Sequence, residues 1–247
     1  MLKVVEAFSG IGAQKQALEK LNIEHEIINT IEWDINAIYA YDIMHHNDNS
    51  PSKLSKHEII ERLANVTLSP DGKKPFSDNG LYRIKEEKLQ KLYAAIRRNN
   101  NLCDITQVSG DMIPDDTDLL TYSFPCQDLS IGSVWYNKDN DGIRKGAKTR
   151  SGLLWEIERI LRERIMINVP LPKFLLMENV NAITSPKHNP NFVQWQEELE
   201  SMGYTNKVYK GLNALDFGVP QSRSRTFMLS IRNKDIEPEE ISNLNYN

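Results

Sequence analysis

One of the chain's two cysteines, Cys126, stands in the tetrapeptide Phe124-Pro125-Cys126-Gln127, just after the run Asp118-Leu119-Leu120-Thr121-Tyr122-Ser123. A strand that delivers a thiol into a proline-constrained turn presents a nucleophile at a sheet edge. Taken alone, a free cysteine is more often a small buried hydrophobe whose reactivity goes unused. Its companions favour the nucleophile. In Phe8-Ser9-Gly10-Ile11-Gly12 the glycines let the backbone bend tightly and approach a ligand, and the helix start behind them suits a negative group. Glu32, at the end of a second apolar run, can accept hydrogen bonds from both hydroxyls of a ribose, and Trp33 beside it can face an adenine ring or fill a core. Asp104-Ile105-Thr106 adds a carboxylate able to accept a proton from an exocyclic amine, or simply to cap a turn. Glu178-Asn179 closes a further apolar run.

The elements that must position these groups alternate. Residues 3–8 and 27–31 have buried-strand patterns, while 14–21 and 35–44 carry apolar residues at helical spacing. Strands alternating with helices imply a parallel sheet with right-handed crossovers. Residues 45–101 are polar, with turn signals at Asn49-Ser50-Pro51 and Asp71-Gly72 and a helix expected over 85–98, and they read as an insertion between sheet strands. The alternation resumes with strands over 118–124 and 174–177, helices over 152–164 and 192–202, and two late strands over 205–212 and 226–232. In such a sheet ligands bind at the carboxyl ends of the strands. The turns at 8–12, 32–34, 104–106, 124–127 and 178–180 are therefore expected to share one crevice.

In this order, Glu6-Ala7-Phe8-Ser9-Gly10-Ile11-Gly12, Glu32-Trp33-Asp34, Asp104-Ile105-Thr106, Phe124-Pro125-Cys126-Gln127, Arg150-Ser151-Gly152-Leu153, Met177-Glu178-Asn179-Val180 and Phe217-Gly218-Val219-Pro220-Gln221-Ser222-Arg223-Ser224-Arg225 resemble the motifs of the DNA cytosine-5 methyltransferases. The resemblance spans nearly the whole chain. It implies an α/β, Rossmann-like S-adenosylmethionine-dependent methyltransferase fold, with a mixed, mostly parallel sheet and helices on both faces. It also implies S-adenosyl-L-methionine as cofactor and double-stranded DNA as substrate. Cys126 would be the covalent catalyst, because C5 of cytosine becomes nucleophilic only after a thiolate has added at C6. Glu178 would stabilise the adduct at N3, and Arg223 and Arg225 would brace the flipped nucleotide. Phe8, Ser9, Gly10, Gly12, Glu32, Trp33, Asp104, Ile105, Pro125 and Leu153 would line the cofactor, and Gln127, Ser130, Asn179 and Gln221 the substrate. No metal enters this chemistry. Residues 130–150, with Lys138, Arg144, Lys145 and Lys148, would form a mobile loop that closes over DNA.

The family pattern stops after Arg225: no target-recognition region and no final cofactor-pocket segment follow in the remaining residues. The expectation is a single catalytic domain, 1–247, acting as one subunit of a split enzyme whose second subunit carries those parts. Cytosine methylation of RNA, or a catalytically silent module that binds the cofactor, would use the same motifs. A net charge of −4 fits a shared DNA groove, since nucleic-acid domains are ordinarily basic. Two widely separated cysteines without CxxC spacing argue against disulfides or structural zinc. The start lacks a signal-like pattern and no apolar run is long enough to span a membrane, so a soluble, cytoplasmic protein is expected.

Overall fold

The computed structural model describes residues 1–47, 49–126, 129, 142–146 and 149–235. The chain divides into two compact units, one covering Met1–Val108 and the other starting at Ser109.

In the first unit, strand β1 (Leu2–Ala7), helix α1 (Ala13–Lys20), strand β2 (His25–Ile31) and helix α2 (Ile35–His45) follow one another as the sequence pattern predicts. The strands pair in parallel, with Val4 opposite Ile27 and Ala7 opposite Ile31. Parallel strands are covered on both faces, which explains why β1 ends in four consecutive buried residues. Asp34 starts α2, its carboxylate accepting the Asn36 N–H at 2.9 Å.

The segment expected as a polar insertion supplies most of this unit's second core. It contains two helices, α3 (Lys56–Arg62) and α4 (Glu86–Arg98), and the first was not anticipated. A capping box starts α3: Ser55 accepts the Glu58 N–H, and the Glu58 carboxylate accepts the Ser55 N–H at 2.8 Å. Ile59, Ile60, Leu63, Leu89, Leu92, Ala95 and Ile96 pack with Ile35 and Ile38 of α2 and with Cys103. Several of the segment's cations are used locally. Arg98 forks onto the Asp42 carboxylate at 2.7 and 2.9 Å, Lys91 pairs with Glu87 at 2.8 Å, and Lys56 donates to the Tyr82 carbonyl at 2.7 Å. Leu89→Ala is therefore expected to cost about 2–5 kcal/mol, the range for a leucine deleted from a packed core. A thermal melt would show it, and a shift corresponding to under ~0.5 kcal/mol would mean the segment is a surface ornament.

The second unit contains β3 (Leu119–Tyr122), α5 (Leu154–Met166), β4 (Phe174–Val180), α6 (Asn189–Ser201), β5 (Tyr204–Asn213) and β6 (Ser224–Arg232). Strands β3 and β4 are parallel, with Tyr122 opposite Met177, whereas β6 runs antiparallel to both β4 and β5. The sheet is thus mixed, as expected. Strand β3 is shorter than the sequence pattern suggests, because Pro125 has no N–H to continue a ladder. Strand β4 is longer, because β6 pairs with it as far as Val180 opposite Arg225. Under the sheet, Trp195 donates to the Tyr122 hydroxyl at 3.2 Å and meets Trp155 edge-on at 5.6 Å. No helix among the described residues is long and apolar enough to cross a membrane.

Candidate active site

The turn after β1 in the first unit has left-handed backbone at Phe8 (φ 55°), Gly10 (φ 55°) and Gly12 (φ 81°). At Gly12 a Cβ would sit 2.3 Å from the His45 ring, so glycine is required for close packing. At Gly10 a Cβ would meet nothing within 4 Å. The Gly10 N–H points at Glu32, donating to its Oε2 at 3.0 Å, while Oε1 accepts the Asp34 N–H at 2.8 Å. Burial, above all, raises the Glu32 pKa, and these two backbone donors oppose the rise. The backbone of Glu32 is held in turn. Asn101 accepts its N–H at 3.0 Å and donates to its carbonyl at 2.9 Å. This half-buried carboxylate with a fixed backbone, next to a glycine that opens onto space, can accept further hydrogen bonds from hydroxyl groups.

Other expected cofactor residues in this unit have more local roles. Asp104 caps a 3-10 turn, accepting the Thr106 N–H at 3.0 Å and the Thr106 hydroxyl at 2.9 Å. This is the capping role weighed for it from sequence. Ile105 and Ser9 are buried, and Trp33 is half-buried, its carbonyl accepting the Ser69 N–H at 2.8 Å. The start of α1 already has an anion from within the fold. The Glu6 carboxylate, fully buried in β1, accepts the Lys15 N–H at 2.9 Å and the Tyr41 hydroxyl at 2.6 Å. Burial raises the Glu6 pKa, and the Tyr41 bond works against it. Cys103 is buried and burial pushes its thiol up to about 12, which rules it out as a nucleophile near neutral pH.

In the second unit the register of β3 and β4 sets the Phe124–Cys126 turn beside the end of β4 that carries Glu178 and Asn179. Asn179 is 2% exposed. Expected from sequence at the substrate, it reaches across to the turn, its amide donating to the Phe124 carbonyl at 3.0 Å while its oxygen accepts the Val180 N–H at 2.8 Å. Ser151 donates to the Pro125 carbonyl at 2.8 Å, and Leu129 N–H donates to the Cys126 carbonyl at 3.0 Å. Cys126 itself is half-buried. On β4, Glu178 Oε1 lies 2.9 Å from Arg225 Nε and 3.6 Å from an Arg223 guanidinium nitrogen. The antiparallel pairing of β4 with β6 makes this meeting possible, because it puts Arg225 opposite Val180. Asn213 steadies the approach to β6, its side-chain oxygen accepting the Arg223 N–H at 3.1 Å.

Leu153 is half-buried at the head of α5, and Gln221 is exposed in the turn before β6. Gln127 and Ser130 lie outside the described residues, as do 131–141, 147 and 148 of the expected loop. Gly142 and Ile143, in the described part of that stretch, are packed, while 144–146 are exposed. Ile143 is buried and its carbonyl accepts Trp155 Nε1–H at 2.9 Å. Lys145, read from sequence as part of a basic run, lies 2.8 Å from both Glu158 and Glu198 and sits 5.0 Å over the Trp155 ring. Asn101 was not singled out from sequence, and Glu6 and Ser151, though they stand in the quoted motifs, were given no role of their own, since their partners become visible only in the fold. Among the described residues no cluster of His, Cys, Asp or Glu could hold a metal.

Alternating strands and helices, with the Glu32 fork at a strand end in the first unit and the Cys126 turn near Glu178 and its arginines in the second, are features of a Rossmann-like fold. Solved structures share the fold. The Dnmt2 methyltransferase of S. pombe superposes with a TM-score of 0.56 at 21% identity, covering 94% of this chain and 51% of that one. The methyltransferase EhMeth of Entamoeba histolytica gives 0.51 at 19% identity over 94% and 53%. The chain belongs to the C-5 cytosine-specific DNA methylase family, whose model matches residues 81–247. Among its relatives, the orphan methyltransferase M.SssI of Spiroplasma monobiae is 43% identical over 96% of this chain. The type II methyltransferase M2.ScrFI of Lactococcus lactis subsp. cremoris is 38% identical over 94%. The chain spans 61% and 62% of the lengths of these two relatives.

Proposed function

We propose that this chain is the catalytic part of an enzyme that transfers a methyl group from S-adenosyl-L-methionine to C5 of cytosine in double-stranded DNA. The observation that carries this reading is the ion cluster of Glu178 with Arg225 at 2.9 Å, on the strand bonded in register to the one leading into Cys126. Exposed or half-exposed ion pairs contribute only about 0–1 kcal/mol to stability. Two arginines converging on one carboxylate at a strand end therefore call for a role beyond folding. Family membership and the donor set around Glu32 support the same reading.

The residues divide the work as follows. The target base is rotated out of the duplex, since its reactive edge is hidden in the stack. The Cys126 thiolate adds to C6, which pushes electron density toward N3 and makes C5 nucleophilic. Glu178 meets N3 and stabilises the adduct by hydrogen bonding; Arg225 holds the carboxylate in place, and exposed Arg223 faces the nucleotide's phosphates. The cofactor, when bound, supplies an electrophilic methyl group for C5. Glu32 and the Gly10 turn hold its nucleoside end. Once C5 is methylated, loss of its proton and expulsion of the Cys126 thiolate restore the aromatic ring.

The reading includes a second polypeptide that contributes target recognition. A net charge of −4 supports this division, because a DNA groove then draws its cations from both chains. A cytoplasmic location is part of the same reading. The test mixes the chain, with and without the polypeptide encoded beside it, with labelled cofactor and a duplex carrying 5-fluorocytosine. The fluorine cannot leave as a proton, so the covalent species is trapped and migrates as a labelled band on a denaturing gel. Trapping on fluorocytosine RNA alone would reassign the substrate, and no band with any duplex and partner would leave a silent cofactor-binding module.

Cofactor affinity is expected to rise with pH. Burial raises the Glu32 pKa in the free chain, and ribose hydroxyls donate best to the ionised carboxylate, so binding lowers that pKa and releases a proton. Glu32→Gln should weaken binding about 10- to 100-fold, from roughly 1.5–3 kcal/mol for hydrogen bonds to a charged group, and flatten the pH dependence. Calorimetry across pH in two buffers of different ionisation enthalpy measures both. A wild-type affinity that is flat with pH would remove Glu32 from the ribose.

A further inference from the structure

The geometry points to Ser151 as a positioning residue for the nucleophile, an assignment that rests on the methyltransferase reading above. Ser151 is 0% exposed and opens the 3-10 turn that leads into α5. It has no part in the chemistry just described. Its hydroxyl donates to the Pro125 carbonyl at 2.8 Å. That carbonyl and the Cys126 N–H belong to one planar peptide unit, so fixing the oxygen fixes the direction in which the Cys126 N–H points. The preceding peptide unit is held by Asn179, through the Phe124 carbonyl at 3.0 Å, and the proline ring locks φ of Pro125, one of the two torsions between the units, leaving ψ to be set by the two side-chain bonds. Two buried side chains from different elements thus clamp the two consecutive peptide planes that deliver the thiol. What remains to aim the sulfur is the φ of Cys126 and its own side-chain rotation.

Magnitudes separate this role from mere satisfaction of a buried hydroxyl. A neutral hydrogen bond contributes about 0.5–1.5 kcal/mol to stability, which alone would show as a small change in melting temperature. A nucleophile displaced by about 1 Å loses on the order of 10²-fold in rate with no change in binding. Ser151→Ala, which removes one oxygen and little volume, should therefore lower the single-turnover methylation rate at least 10-fold. The affinities for cofactor and DNA should stay within about twofold.

Two measurements test it. The chain alone is labelled with carbonyl-¹³C proline and ¹⁵N cysteine; Pro125-Cys126 is the only Pro-Cys pair in the sequence, so it yields a single carbonyl-to-amide cross-peak. In Ser151→Ala the Pro125 carbonyl resonance should move upfield through loss of its donor, and the Cys126 amide should move with it. Single-turnover methylation is then followed with the partner and duplex present. A shifted cross-peak with a rate loss confined to the chemical step supports the assignment. An unmoved cross-peak, an unchanged rate, or a loss of cofactor affinity that matches the loss of rate overturns it. Should the wild-type chain form no adduct with any partner, the methyltransferase reading fails first. The positioning role of Ser151 falls with it, while the cross-peak still reports separately on the turn.

Discussion

Cys126→Ala is expected to abolish the fluorocytosine adduct and to lower methylation on the order of 10⁴-fold or more, beyond ordinary detection. The size of the effect follows from the chemistry. Without addition at C6 the ring carbon has no enamine character. Cys103, the only other thiol, is buried and its pKa is pushed up to about 12, so it cannot substitute. The fold should tolerate the change, because Cys126 is only half-buried and the turn is held through its neighbours' carbonyls. Melting temperature and cofactor affinity should therefore match the wild type. An adduct formed by the alanine variant would remove Cys126 from the mechanism.

Glu178→Gln is the second large effect, with an expected loss of about 10²–10⁴-fold in turnover, the range for a positioned acid–base group. The amide keeps the shape but cannot hold or share the proton at N3, so single-turnover rate falls while DNA and cofactor affinities persist. Arg225→Ala should also slow the reaction, because its Nε lies 2.9 Å from the Glu178 Oε1 and fixes the carboxylate's orientation. If Arg225 acts through Glu178, the double variant will be little slower than Glu178→Gln alone. Fully additive losses would mean that Arg225 works on the nucleotide independently. Trapping kinetics on fluorocytosine duplex give all four corners of the cycle.

Local pattern was sufficient for much of this fold. The apolar runs and helical spacings placed α1, α2, α4, α5 and α6 and all the strands to within a few residues, since burial on one or both faces imprints its period on the chain. Helix α3 escaped because its seven residues carry only the adjacent pair Ile59 and Ile60 among charges, although Ser55 and Glu58 announced its capping box. The chemical types were legible as well. A thiol after Pro125, the carboxylates at 32 and 178, and the arginines at 223 and 225 stand at chain positions where strands end.

Pairing across distance was not legible. Asn101 sits in a run of three asparagines that looks like any turn, yet it clamps the backbone of Glu32, 69 residues away. Glu6 looks misplaced in an apolar strand until Tyr41 and the start of α1 reach it. The same holds for Asn179 and Ser151, whose type suggested substrate contact or nothing, and which grasp the turn before Cys126. Composition and period report how much of each residue is covered. Which group covers it depends on strand register and on the direction of each chain crossing, and those are settled only when the whole sheet assembles.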